Sequence, residues 1–163
     1  MIRDASESDF DAILRLNLES EHVLSPLDRV RLQHLHRQAA WHRVACIDGA
    51  VAAFLLVLRE GADYDSPNYR WFAGRYPAFL YIDRVVVDAR HQGRQLGATM
   101  YRDLFEFART SGVSLVTCEF DVIPPNPASS AFHARFGFRE VGGQWIAQGR
   151  KKVSLQEARV ATQ

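Results

Sequence analysis

The richest chemical spacing in this chain lies in Gln92-Gly93-Arg94-Gln95-Leu96-Gly97. Two glycines without Cβ atoms bracket polar residues directly ahead of an amphipathic repeat. The first turn of a helix leaves backbone N–H groups unpaired and carries partial positive charge. Together these features make a cradle for a phosphate or a similar anion. The elements that must position it are legible on both sides. Before it, Leu80, Ile82, Val85, Val86 and Val87 form a near-continuous apolar, β-branched run, suited to a strand covered on both faces. After it, Leu96, Met100, Leu104, Phe107 and Ala108 recur at helical spacing, while Arg94, Arg102, Glu106 and Arg109 fall elsewhere on the wheel. Phe79 to Arg109 therefore reads as strand, turn and helix.

The cradle lacks both G-x-x-x-x-G-K-[ST] and G-x-G-x-x-G, which argues against a P-loop and against a dinucleotide fold. At 163 residues the expectation is a single domain over 1–163, long enough to bury a core without disulfide or metal staples. A formal charge of +1 leaves no electrostatic footprint for nucleic acid or an anionic membrane. No apolar run approaches the roughly 20 residues that span a bilayer, and the polar, acidic start MIRDASESDFD is unlike a signal peptide. The cytoplasm is the expected compartment. Cys46 and Cys118 lie in apolar runs without metal-ligand spacing and read as core thiols. The histidines supply no H-E-x-x-H, so no metal is expected.

Along the chain, Ile2 to Ala5 reads as an opening strand, and Ser6 to Asp9 as the cap of a helix carrying Phe10, Ile13, Leu14 and Leu18. Ser25-Pro26 breaks the pattern and restarts it as a second helix through Gln38. Trp41 to Ile47 and Val51 to Leu58 form a β-hairpin about the tight-turn pair Asp48-Gly49. Glu60 to Ala78 combines Gly and Pro breakers with Tyr64, Tyr69, Trp71, Phe72 and Tyr76, so it folds over something, as a lid or as a pocket wall. Ser111-Gly112 stops the central helix and Val113 to Val122 is the next strand, which makes a parallel βαβ unit. Asn126-Pro127 opens a further helix, closed by Gly137. Phe138 to Ile146 and Lys151 to Arg159 are the last strands.

The cradle resembles motif A of the GCN5-related N-acetyltransferase (GNAT) superfamily, Q/R-x-x-G-x-G/A after a buried strand, with Gln95 standing at the inner glycine. Asn126 to Gly142, NPASSAFHARFGFREVG, resembles the motif B pattern N-x-x-[AS]-x-x-[LF]-[YH]-x-x-x-G-F of the same superfamily. The two motifs stand in the family's order and, with the elements before them, cover nearly the whole chain.

The resemblance implies an α+β (α/β) fold: a mixed six- to seven-stranded sheet, splayed at its centre and flanked by about four helices. It implies an N-acetyltransferase that uses acetyl-CoA, or another acyl-CoA, to acylate a primary amine of a small molecule or peptide. Homodimers are common in the family. Carried onto this sequence, the pantetheine arm pairs with the backbone of Ile82 to Val87, including Val85, Val86 and Val87. The pyrophosphate lies over Gln92, Gly93, Arg94, Gln95, Leu96, Gly97 and Ala98. Asn126 stands near the thiol end, and Ser129 is a further cofactor-binding candidate. The family's tyrosine acid falls on His133, which would also touch the cofactor. Some members carry a glutamate base at the position of Tyr81. Simple strand parity puts Tyr81, Asp83, Val85 and Val87 on one face, making Asp83 the first candidate base and Glu119 the second. Glu19, Glu21 and His22 match the family's acceptor region, with Tyr64, Tyr69 and Trp71 as further candidates for its wall. A non-catalytic acyl-CoA-binding domain of the same fold is the alternative, with Gln95 and His133 as the departures that favour it.

Overall fold

The computed structural model describes residues Met1–Gln163. Its strands are β1 Ile2–Asp4, β2 Trp41–Ile47, β3 Ala50–Arg59, β4 Leu80–Val87, β5 Leu115–Ile123, β6 Arg139–Ile146 and β7 Lys151–Arg159. Its α-helices are α1 Phe10–Glu19, α2 Arg29–Gln38, α3 Pro67–Ala73, α4 Leu96–Ser111 and α5 Pro127–Arg135. The strands form a seven-stranded sheet in the order β1-β2-β3-β4-β5-β7-β6. Only the β4–β5 pair is parallel. The expected mixed sheet is present, with five α-helices where about four were expected. The addition is α3, inside the aromatic connection. Its start signal matches that of α5: Ser66 caps it, accepting from Tyr69 N, and Pro67 takes the first turn.

Alternation within β3 shows how the sheet builds two cores. Phe54, Leu56 and Leu58 pack with Phe10, Ile13 and Leu16 of α1, Leu32 and Leu35 of α2, and Tyr69 and Phe72 of α3. Ala53, Leu55 and Val57 pack on the other face with Met100, Tyr101 and Leu104 of α4. A strand buried on both faces has no room for the polar alternation of a half-wet one, which is why AVAAFLLVL is continuous. Asp48 and Gly49 both have positive φ, 52° and 77°, as the two-residue hairpin turn requires.

Two irregularities in β4 set up the site. The first is a bulge. Leu56 faces Arg84 and Val57 faces Ile82, so Asp83 is an extra residue with no partner on β3. The bulge reverses strand parity, and this corrects the shared face expected for Tyr81, Asp83, Val85 and Val87. Tyr81 and Val86 lie in the α1–α3 core, whereas Leu80, Ile82, Val85 and Val87 pack toward α4. The second is the splay. β4 and β5 pair only at Leu80↔Val116 and Tyr81↔Thr117. Beyond Tyr81 the two strands part, leaving one side of β4 without a sheet partner. No helix is long and apolar enough to cross a membrane.

Candidate active site

A cleft of about 940 Å³ opens where β4 and β5 separate. One wall is Val85, Val86 and Val87; its end is the turn Gln92, Gly93, Gln95, Leu96, Gly97 and Ala98. Gln95 is the N-cap of α4 but makes no side-chain capping bond. The N–H groups of Leu96, Gly97 and Ala98 accordingly find no acceptor in the chain, and Thr99 N, bonded to Gln95 O at 2.9 Å, is the first to do so. An anion on those three donors meets a chemical need of the helix. A Cβ on Gly97 would sit 3.7 Å from the Phe132 ring and 3.9 Å from Val87, ordinary contact for one methyl but no room for a larger side chain.

Gln95 has φ 59° and ψ 27°, the left-handed region that glycine occupies freely. Gln95 thus holds a backbone conformation that a glycine would adopt without a Cβ penalty. Gln95→Gly is expected to leave the fold within about 1 kcal/mol of the parent or stabilise it. It is also expected to tighten acetyl-CoA binding several-fold, both read by calorimetry and thermal unfolding. Weaker binding in the glycine variant would mean that the Gln95 side chain itself holds the ligand.

Sequence reasoning missed part of this wall. Ala128, Phe132 and Arg135 of α5, with its C-cap Phe136, line the cleft, and their i, i+4, i+7/8 spacing is one helix face. Asn126, Ser129 and His133 lie off that face and outside the lining. Asn126 Oδ1 accepts from Ser129 N at 3.3 Å as a helix cap. His133 is 5 % exposed. Its Nδ1 donates to Ser129 O at 2.8 Å, so Nε2 accepts from Tyr101 Oη, also at 2.8 Å. Burial holds its pKa below the ordinary histidine value. With both nitrogens used inside the fold, this imidazole has no free nitrogen for the expected general-acid role. Arg94 is exposed and outside the lining, whereas Arg102 lines the cleft together with Arg135. Arg102 bonds Thr99 Oγ1 at 3.3 Å, and Arg135 lies 5.9 Å over the Phe132 ring. Both cations remain available to an anionic ligand.

The carboxylates lie at the root of the splay. Tyr81 Oη donates to the Glu119 carboxyl, 2.8 and 2.9 Å from its two oxygens. Although Glu119 is half-buried as a residue, its carboxyl is enclosed, and burial pushes its pKa up to about 8. Asp83 adds to that shift, while Tyr81 and Asn68 oppose it. Asp83 is engaged on both oxygens: Tyr64 Oη donates to Oδ1, and Arg84 Nε donates to Oδ2 at 2.7 Å. The bulge permits this pairing of neighbours, which a regular strand would point to opposite faces. Arg84 continues through Nη1 to Asn17 Oδ1 at 2.9 Å and Ser25 O at 3.2 Å, tying β4 to α1 and to the connection before α2.

Among the acceptor-region candidates, His22 lines the cleft with Ser20, Val23 and Leu24. Glu19 is exposed and pairs with Arg15 at 3.2 Å, and Glu21 is half-buried outside the lining. Tyr64 and Tyr69 are 9 % and 2 % exposed. Tyr69 Oη donates to Arg59 O and accepts from Ala62 N, bracing its own connection rather than forming a pocket wall. Trp71 is half-buried against Gly142 of β6.

The sequence matches the family model described as Acetyltransferase (GNAT) family over residues 8–138. The chain belongs to the GNAT acetyltransferase family. Its likeness to solved GNAT structures runs end to end at low identity. The ribosomal-protein-S18-alanine N-acetyltransferase from Escherichia coli superposes with a TM-score of 0.74 at 15 % identity, covering 100 % of this chain and 95 % of that one. Ard1 from Thermoplasma volcanium gives 0.80 at 16 %, covering 98 % and 97 %. yncA, a putative acetyltransferase from Salmonella typhimurium solved with its cofactor acetyl-CoA, gives 0.75 at 18 %, covering 100 % and 95 %. No match among curated proteins was found. The GNAT assignment, with an acetyl-CoA-bound structural neighbour, makes an acyl-CoA the co-substrate class.

Proposed function

We propose that this GNAT enzyme transfers an acetyl group from acetyl-CoA to a primary amine of a small molecule or peptide, with Glu119 as general base. The observation that carries the reading is the continuity of the cleft. It joins an unpartnered side of β4, suited to the amides of a pantetheine arm, to three unsatisfied N–H groups of α4, suited to a pyrophosphate. Arg102 and Arg135 extend that anion site along α4 and α5. Acetyl-CoA supplies an activated thioester when bound.

An amine of pKa near 10 arrives as an ammonium and must lose a proton before it can attack. Glu119, poised at about 8, accepts that proton. The freed amine nitrogen forms its bond to the acetyl carbon as the carbon–sulfur bond breaks, and the departing thiolate takes up the second proton that this nitrogen sheds on becoming an amide. Asp83, held by Arg84 and Tyr64, keeps the bulge and the acceptor side in place, so the order of the two base candidates reverses. His22 borders the mouth through which the amine approaches.

Acetyl-CoA, but neither NADH nor ATP, is expected to raise the unfolding temperature by several degrees at about a hundred times its dissociation constant. Gly97→Trp is expected to abolish that shift by filling the cradle; a retained shift would remove the α4 turn from the binding site. The occupied nitrogens of His133 favour a second reading, an acyl-CoA-binding domain that does not turn over. Amine-dependent thiol release across an amine panel decides between them.

A further inference from the structure

We propose that Lys151, at the start of β7, is an internal acceptor whose side-chain nitrogen the enzyme acetylates on its own chain. This rests on the reading of the protein as an acetyltransferase with Glu119 as its base. In this chain lysine stands only at 151 and 152, among 20 cationic residues. The two open β7 together, and the alternation of a strand sends them to opposite faces of the sheet.

Lys151 is on the face of the base. Along β7 it alternates with Val153 and Leu155, which both pack into the core shared with α1, α2 and α3. On β5, Asp121 pairs with Val153 and Glu119 with Leu155, so both carboxylates stand on that same face. The register shift in this pair comes after Asp121, before Ile123, and leaves the two in phase. Lys151 Nζ reaches across to Asp121 Oδ2 at 3.7 Å. Two residues of strand, about 7 Å, separate Asp121 from Glu119. β4 pairs with β5 only as far as Thr117, so both carboxylates lie on the part of β5 that borders the splay. An alkylammonium is therefore already seated one carboxylate away from the base. Lys152 is the opposite case: paired with Trp145 on β6, its ammonium lies 5.9 Å over the Trp145 ring on the other face.

The pair is loose enough to part. The Lys151 side chain is 31 % exposed, and an ion pair as long as this one with water at hand holds weakly. Lysine carries its charge on a flexible four-carbon stem, so a change of rotamer moves Nζ along β5 from Asp121 toward Glu119. There Lys151 gives one proton to the Glu119 carboxylate. Its nitrogen bonds the acetyl carbon as that carbon's bond to sulfur breaks, and its second proton goes to the departing thiolate. The products are an Nε-acetyl-lysine and free CoA, and the charge that faced Asp121 is gone.

The test begins without ligand. Protein carrying 13C only at its lysine ε-carbons should give two NMR signals, assigned with Lys152→Arg. Asp121→Asn should move the Lys151 signal and leave that of Lys152; an unmoved Lys151 signal overturns the proposal. The parent is then incubated with acetyl-CoA and no amine, and its peptides are mapped by mass. One acetyl group is expected on Lys151, formed more than about tenfold faster than on Lys152, at a first-order rate that does not change with protein concentration. Lys151→Arg should lose the adduct and Lys152→Arg should keep it. Glu119→Gln should slow it by the same factor as thiol release with an external amine. Equal labelling of both lysines, a rate that rises with protein concentration, or an adduct that Glu119→Gln leaves at full rate overturns the proposal. Thiol release with an external amine while Lys151 stays unmodified also overturns it and leaves the proposed function standing. Absence of both adduct and thiol release overturns the two together.

Discussion

Replacing Glu119 with glutamine is expected to lower kcat by about 10²–10⁴ while making the protein more stable at pH 8. The loss follows from removing the proton acceptor while the shape and the Tyr81 hydrogen bond are kept. The gain follows from linkage. The Glu119 carboxyl sits near 8 in the folded protein against an ordinary value of 4.5. Between those values the unfolded chain releases the proton and the folded one retains it, so the unfolded state binds fewer protons and stability falls as pH rises. Below about 4.5 the cost vanishes; above about 8 it reaches its limit, at most about 5 kcal/mol. Glutamine cannot ionise and escapes it. Urea unfolding at pH 5 and pH 8.5 should give a difference between parent and variant that appears only at the higher pH. The parent kcat should rise with an apparent midpoint near 8, a limb absent from the variant. Equal turnover in Glu119→Gln would transfer the base role elsewhere, with Asp83 next to be examined.

Arg84→Met is expected to destabilise the fold by about 3–5 kcal/mol, because it leaves the Asp83 carboxylate enclosed without its cation. Both side chains are 4 % exposed, so water cannot take the place of the lost partner. The loss also frees Asn17 and Ser25 O from Arg84, slackening the connection that carries His22 to the cleft mouth. For a chain of this size the melting temperature should drop by roughly 10 °C. Asp83→Asn in the same background should restore part of it, since the uncompensated charge goes too. A double-mutant cycle in denaturant measures the coupling. Additive losses would mean that the pair is not coupled, and Asp83 would then be free for another task.

The contrast between these two carboxylates shows where the sequence is informative. The strand–turn–helix around the cradle was legible because a fully buried strand and an amphipathic helix leave opposite periodicities in adjoining stretches. The hairpin was legible from Asp48-Gly49. The order of the base candidates was not. It depends on one extra residue in β4, and a bulge leaves no mark in a run of apolar side chains. That extra residue is Asp83 itself, which the bulge turns to Arg84 and Tyr64, leaving Glu119 to Tyr81. His133 likewise sits where the motif places it, but its ring turns to Tyr101 because an imidazole is short enough to be satisfied inside the fold. The cleft face of α5 was present in the spacing of Ala128, Phe132, Arg135 and Phe136, hidden behind the more conspicuous motif positions. α3 carried a cap-then-proline signal like that of α5, masked by the breakers around it.

The two residue pairs that join β4 to β5 have one more consequence. A sheet normally transmits cooperativity strand to strand, and here the transmission narrows to a seam between β1–β4 and β5–β7. A ligand arm lying along the open side of β4 would act as a missing strand, stitching two half-sheets into one cooperative unit. Saturation would then do more than raise the midpoint of unfolding. It would sharpen the transition and slow amide exchange on both sides of the seam, with the co-substrate serving as part of the architecture.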